Sequence, residues 1–325
     1  MTGSFAHGTQ DTGRQASLHR TEELFVGYGT LIAMSLGVVF FVPALTWLLG
    51  WVENRRSGET ARQRELLGGG LASAHARSFV NAAWTLWLTV LALPFGLLPR
   101  TGLLARFCPR VPAPQGVCPV PVILVHGLYH NPAAWFVLRV RLARMGFAEV
   151  RCFGYASFGR SFEAIAADLA ELLLAVGKEA PGGRVALVGH SLGGLLIRAA
   201  CADARVACGA GCRVAGVVTL GTPHGGSTLA GMLGLGRLAR GLAPGGEVIS
   251  LVRALPSFPG PGLSLYTPTD GMVLPLSGSF LDERDRAAGW AERALPPTSH
   301  VGLLYSRAAA GQIQAFLRGV CSGVG

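Results

Sequence analysis

VALVGHSLGG, residues 185–194, is an apolar run that stops at a glycine, followed by a serine with glycines on both sides. Val185 to Val188 have the size and branching of a buried strand. The residues from Leu192 to Asp203 then read as a helix. A serine between the two sits on a strand-to-helix turn, and the pattern Gly189-x-Ser191-x-Gly193 supplies glycine where a sharp turn leaves no room for side chains. Gly194 adds space for close helix packing. The N-terminus of the following helix aims backbone N–H groups at any anion that forms beside the serine.

The same alternation continues on both sides. Residues 122–125 (VILV) and 147–153 (FAEVRCF) read as strands, with a helix over 132–145 that starts at Pro132 and stops at Gly146. Residues 161–176 read as a helix with Ser161 as its cap and Glu163 in its first turn. VAGVVTL (214–220) is a strand, LSLYT (263–267) and ERAL (292–295) are weaker ones, and 301–318 reads as a final amphipathic helix. Strands alternating with helices predict an α/β fold, a mostly parallel sheet with helices on both faces. Chemistry in such sheets is expected in the loops beyond the carboxyl ends of the strands.

These residues, over roughly 120–320, resemble the α/β-hydrolase family, and within it the bacterial triacylglycerol lipases and esterases. The resemblance implies a serine nucleophile, Ser191, followed in chain order by an acid and then a histidine base. His300, in Thr298-Ser299-His300-Val301-Gly302, stands just before the last helix, where the family places its base. Asp270, in the turn TPTDGMVLP (267–275), is similar to the family's Asp-x-x-Val-x-Pro turn and would orient the imidazole. Asp282, Glu283 and Asp285 are rival acids in a segment that reads as a charged, exposed helix. Val125-His126-Gly127-Leu128 corresponds to the oxyanion loop, so the backbone N–H groups of Leu128 and Leu192 are the expected donors. His126, Gly127, His190 and His224 are assigned to the substrate-binding surround, His126 as a brace of its loop and His224 through the lipase-like GTPHGGS (221–227). Residues 228–258 alternate apolar side chains with Arg237, Arg240 and Arg253, and read as a lid or cap insertion.

The N-terminal part differs. Half of the 325 residues are hydrophobic, only 14% are charged, and the mean hydropathy is +0.43, which excludes a disordered chain. The excess lies in residues 24–51 and 79–99, two runs without charge that are each long enough to span a bilayer as helices. The expected organisation is a polar tail (1–23), a two-span transmembrane hairpin (24–99), a proline-rich linker (100–120) and a hydrolase domain (121–325). The linker is long enough that the domain can sit against a bilayer without being fixed in it. The net charge of +10 is almost all arginine and is scattered, which favours a membrane surface over nucleic acid. Arg55, Arg56, Arg62, Arg64 and Arg77 between the spans balance Arg14, Arg20, Arg100, Arg106 and Arg110 outside them, so the arginines do not choose a side.

The chain has seven cysteines. Cys108 and Cys118 bracket the linker, and Cys201, Cys208 and Cys212 cluster, so two disulfides are conceivable. They would place the domain outside the cytoplasm, facing the periplasm of a bacterial inner membrane. No metal or cofactor signature is visible. The expected activity is hydrolysis of carboxylic esters, acyl lipids above all, through an acyl-serine. An acyltransferase or deacylase with the same three residues is the alternative, and a non-catalytic membrane protein on a hydrolase scaffold the second. Oligomeric state is not readable.

Overall fold

The computed structural model describes residues 37, 40–97 and 118–322. The polar tail, the start of the first expected span, residues 98–99 of the second, residues 100–117 of the linker with Cys108, and residues 323–325 lie outside the described residues.

Strands β1 (Val122–Val125), β2 (Val150–Phe153), β3 (Arg184–His190), β4 (Arg213–Leu220), β5 (Gly262–Tyr266) and β6 (Trp290–Ala294) form one sheet in the order β2-β1-β3-β4-β5-β6. Every pairing is parallel. Alternate residues face opposite sides, as the strand period requires. Ile123, Val125, Val185, Leu187 and Val217 pack under the helices Phe162–Glu179 and Leu192–Ala202. Val122, Leu124, Ala186, Val188, Val218 and Leu220 pack under Phe136–Arg144 and Arg307–Ser322. Because both faces are covered, the central strands are apolar throughout, which is why VILV carries no alternation.

The sequence patterns locate all six strands, and the differences are at helix ends. The expected helix over 132–145 begins as a 3-10 turn, Pro132–Trp135, capped by the Asn131 side chain, which accepts from Ala133 N at 3.0 Å. The expected helix over 301–318 is two pieces: a 3-10 turn, Val301–Leu304, and a helix, Arg307–Ser322. Ser306 separates them, its Oγ accepting from Ala309 N at 3.2 Å in the manner of an N-cap.

The insertion 228–258 forms short helices, Thr228–Leu233, Gly236–Gly241 and Glu247–Ala254. Leu238, Leu242, Val248, Ile249 and Val252 are buried against the sheet-covering helices, so much of the insertion is core. Its tip differs: Met232, Leu233 and Leu235 are exposed. Leu235 is held by Tyr129, whose hydroxyl donates to Leu235 O at 2.5 Å, and Phe158 stacks on the same tyrosine ring. Arg237 pairs with Glu247 at 2.6 Å.

The N-terminal helices depart furthest from expectation. Residues 40–56 are helical (α1), Thr60–Leu66 is α2, and Leu71–Leu97 is α3. The segment 52–78, expected as a connecting loop, is therefore mostly helix. Among the described residues no helix is long and apolar enough to cross a membrane. On α3, Ser78, Thr85 and Thr89 are buried on the side turned to the hydrolase domain, and Asn81 lies beside them. Val80, Trp84, Trp87, Val90 and Leu91 point outward. A run that looks uniformly uncharged is a two-sided helix with an uncharged polar stripe at helical spacing. α3 packs on the 3-10 turns Pro132–Trp135 and Val301–Leu304, so the hairpin is docked on the domain instead of trailing from it.

Cys118, just before β1, is disulfide-bonded to Cys321 in the last helix, 203 residues away. The bond joins Cys118 to a cysteine outside both groupings read from the sequence. Cys201, Cys208 and Cys212 are free thiols, the first and last buried.

Candidate active site

The register aligns Val125 with Gly189 and His190 with Leu220, which sets the ends of β1, β3 and β4 side by side. The loops that leave this edge carry the candidate residues: 126–131 after β1, Ser191 after β3, 221–227 after β4, Asp270 after β5 and His300 after β6.

Ser191 adopts φ 55° and ψ −126°, a left-handed conformation that side chains other than glycine avoid. It is held there at both ends of its peptide unit. Ser191 N donates to Leu220 O at 2.9 Å, and Thr222 Oγ1 donates to Ser191 O at 3.0 Å. The turn is crowded: a Cβ on Gly193 would sit 2.1 Å from Val125 O. Such strain is retained only where the surroundings enforce it.

Gly127 brings the loop after β1 against the serine, since a Cβ there would lie 2.9 Å from Ser191 Cβ. The backbone of Gly127 thus borders Ser191 on one side. Leu192, first residue of its helix, borders it on the other with an N–H that has no partner within the helix.

His300 and Asp270 meet directly, with Nδ1 and Oδ2 2.7 Å apart. Both are buried. The second carboxylate oxygen of Asp270 has a different task, accepting from Met272 N at 2.7 Å and Val273 N at 3.0 Å. One aspartate therefore caps its own turn and engages the imidazole.

His190 places its ring 4.7 Å from that of His300, and its Nε2 donates to His300 O at 3.1 Å. It fixes the backbone of His300. His126 is a brace: Nδ1 lies 2.9 Å from Gly127 O, Nε2 accepts from Tyr155 N at 3.2 Å, and the ring stacks on Tyr155 at 4.2 Å. These partners require the neutral Nδ1–H tautomer. His224 sits in a separate hydrogen-bonded cluster. Its Nδ1 accepts from Arg198 at 3.1 Å, and its Nε2 is 3.2 Å from Thr219 Oγ1 and 3.3 Å from Ser264 Oγ. Both nitrogens of His224 are thus engaged within a buried cluster.

That cluster was not legible. Arg198, on the helix that Ser191 opens, is buried and pairs with Asp285 at 2.8 Å. Asp285 is also buried, where the sequence reads as an exposed charged helix. A lone arginine inside the apolar LGGLLIRAACA was the one available signal. Burial lowers the Arg198 pKa and raises that of Asp285, while each partner opposes the change. Among the described residues no group of three histidine, cysteine or carboxylate side chains could hold a metal ion.

Three histidines are buried, a fourth, His130, is half-buried, and all four are held toward the neutral form. Burial pushes the His126 pKa down to about 4 and that of His130, with His126 and His300 nearby, to about 3. His190 and His224 are lowered well below the usual value by burial first, and by neighbouring charge second. The unfolded chain binds these protons near pH 6.5 and the folded chain does not, so stability is complete above that pH and falls as pH drops toward 4. Each such histidine contributes a slope of about 1.4 kcal/mol per pH unit inside the window, so His126 and His130 together give on the order of 3. The urea midpoint is expected to fall steeply between pH 6.5 and 4.5. A midpoint unchanged over that range would show that these rings are not buried neutral.

A profile of the alpha/beta hydrolase family matches residues 122–320. Among solved structures, the chain is similar to a lipase of Bacillus licheniformis in mature form, at 19% identity and a TM-score of 0.51, over 65% of this chain and 95% of that one. It is also similar to lipase B of Aspergillus fumigatus, at 18% identity and a TM-score of 0.52, over 70% of this chain and 63% of that one. Identities this low speak to the fold alone. A search of curated proteins finds no match. The profile runs from β1 into the last helix and leaves α1–α3 outside it. The strained serine turn, the loops at the carboxyl edge and the profile that spans them agree: the chain belongs to the alpha/beta hydrolase family.

Proposed function

We propose that the chain is a membrane-associated serine hydrolase that cleaves carboxylic esters of acyl chains through an acyl-serine. The observation that carries this reading is the 2.7 Å contact between Asp270 and His300 at the edge where Ser191 is held in a strained turn. Ser191 Oγ attacks the ester carbonyl and gives its proton to His300 Nε2. Asp270 Oδ2 accepts from the Nδ1–H and stabilises the imidazolium. The N–H groups of Leu128 and Leu192 receive the charge on the tetrahedral oxygen. The imidazolium then protonates the departing alkoxide, and a water, deprotonated in turn by His300, releases the acid and restores Ser191.

An acyl substrate is favoured by apolar surface around the site. Tyr129, Phe158, Met232, Leu233 and Leu235 form an exposed group beside the Leu128 loop. Association with a bilayer is supported by the outer side of the hairpin. Phe40, Phe41, Trp47, Leu48 and Trp51 on α1 join Val80, Trp84, Trp87, Val90 and Leu91 on α3 in exposing large apolar side chains. Aromatic residues suit the headgroup level of a membrane, and Arg55 stacks over Trp51 at 4.4 Å. The Cys118–Cys321 disulfide favours an exported domain, because such bonds persist in oxidising compartments.

Fluorophosphonate labelling of fractionated cells, followed by peptide mapping, tests the reading together with a series of p-nitrophenyl esters. Label on Ser191 in the membrane fraction and turnover that rises with acyl length are expected. An unlabelled, inactive chain would overturn it.

A further inference from the structure

α3 lies outside the span of the family profile, yet its polar stripe ends on the catalytic loops. Asn81 Oδ1 accepts three hydrogen bonds, all from the two residues before His300: from Thr298 Oγ1 at 2.9 Å, Ser299 N at 3.1 Å and Ser299 Oγ at 2.8 Å. Thr85 Oγ1 is 3.2 Å from Ser299 Oγ, which also accepts from Gly302 N at 2.9 Å. The loop is shaped around this oxygen. A Cβ at Gly302 would lie 1.9 Å from Asn81 Oδ1, so glycine is required there for the carboxamide to enter.

The acid loop is held by the same helices. Ser78 Oγ donates to Thr269 O at 3.1 Å, Gln63 Nε2 donates to Pro268 O at 2.8 Å, and Leu276 N donates to Asn54 Oδ1 at 2.8 Å. Hydrophobic docking alone would not need these contacts. Polar groups buried without partners are costly, and here each meets a backbone or hydroxyl group of the loops that carry Asp270 and His300.

We propose that Asn81 is a positioning residue for His300, and that the N-terminal helices are thereby part of the catalytic apparatus as well as a membrane-facing surface. The proposal rests on the ester-hydrolase reading above. His300 is fixed from behind by His190 on its carbonyl and from in front by Asn81 on the residues that lead into it. Loss of one hold lets the imidazole drift, and a misplacement of about 1 Å can cost on the order of 100-fold in rate.

The test compares Asn81→Ala and Asn81→Asp with the wild-type full-length chain in detergent, after turnover and label on Ser191 have been measured for the wild type. Asn81→Ala is expected to lose about 10–100-fold in kcat, with KM within about twofold and a similar slowing of fluorophosphonate labelling. Asn81→Asp keeps the acceptor oxygen and is expected to recover most of kcat. Its added negative charge favours the imidazolium, so the acid limb of its kcat/KM profile should move up by roughly half a pH unit. A purely structural role would lower the melting temperature and leave kcat of the folded protein unchanged. Asn81→Ala within twofold of wild type overturns the proposal. So does Asn81→Asp as slow as Asn81→Ala with an unmoved limb. If Asn81→Ala does not fold, Thr85→Val serves, with a several-fold loss in kcat expected and an unchanged kcat overturning. A wild-type chain that neither turns over esters nor takes the label overturns the underlying reading as well, which keeps the two failures apart.

Discussion

Ser191→Ala is expected to lower kcat for ester hydrolysis by about 10⁶-fold, the scale on which nucleophile removal acts when base and orienting acid remain. The size follows from what the substitution deletes. Without Oγ the imidazole of His300 has no hydroxyl to activate, and Asp270 then orients a base with no task. The backbone donors at Leu128 and Leu192 are untouched, so a residual rate of about 10³–10⁴ over water is expected from the oxyanion site and binding. The fold should survive. Ser191 is held by its backbone, through Ser191 N to Leu220 O and Thr222 Oγ1 to Ser191 O, and alanine keeps both bonds. Burst kinetics with a p-nitrophenyl ester measure the loss, and the melting temperature checks the fold. A variant within tenfold of wild type would remove Ser191 from the chemistry.

What was legible in the sequence and what was not divide along a physical line. The strands could be found because a sheet covered on both faces needs continuous short apolar runs, and VILV, VALVG and VAGVVTL are such runs. The serine turn could be found because its sterics demand glycine at fixed offsets. Asp270 and His300 were named from resemblance and chain order, and their contact is a fact of tertiary structure. The docking of the hairpin helices on the domain is not legible where charge is the criterion. Asn81, Thr85 and Thr89 are neutral and barely lower the hydropathy of their run, yet their common face docks α3 on the domain. The disulfide partner of Cys118 lies 203 residues away, beyond any local pattern. Asp285 was read as exposed because a short stretch of Asp, Glu and Arg has a surface composition. Only the buried Arg198 beneath it reverses that.

Asp270→Asn is expected to reduce kcat by about 10⁴-fold while leaving KM within a few-fold. The two oxygens of Asp270 explain why this small change is so costly. Oδ1 accepts from Met272 N and Val273 N, and asparagine keeps an oxygen for those donors, so the turn is retained. The amide NH₂ then occupies the place of Oδ2 and faces His300 Nδ1 at about the same separation. It can only donate there. His300 is driven into the tautomer that carries its proton on Nε2, which cannot take a proton from Ser191. The imidazolium also loses its counter-charge, so the defect persists even where the ring is turned correctly. Two observations separate this account from general damage. The melting temperature should change little at neutral pH, and Asp270→Asn combined with Ser191→Ala should be no slower than Ser191→Ala alone, because residues that act as a unit are not additive. A double variant slower by the product of the two single losses would mean that Asp270 acts independently of the serine and the histidine, and the three residues would not be one catalytic unit.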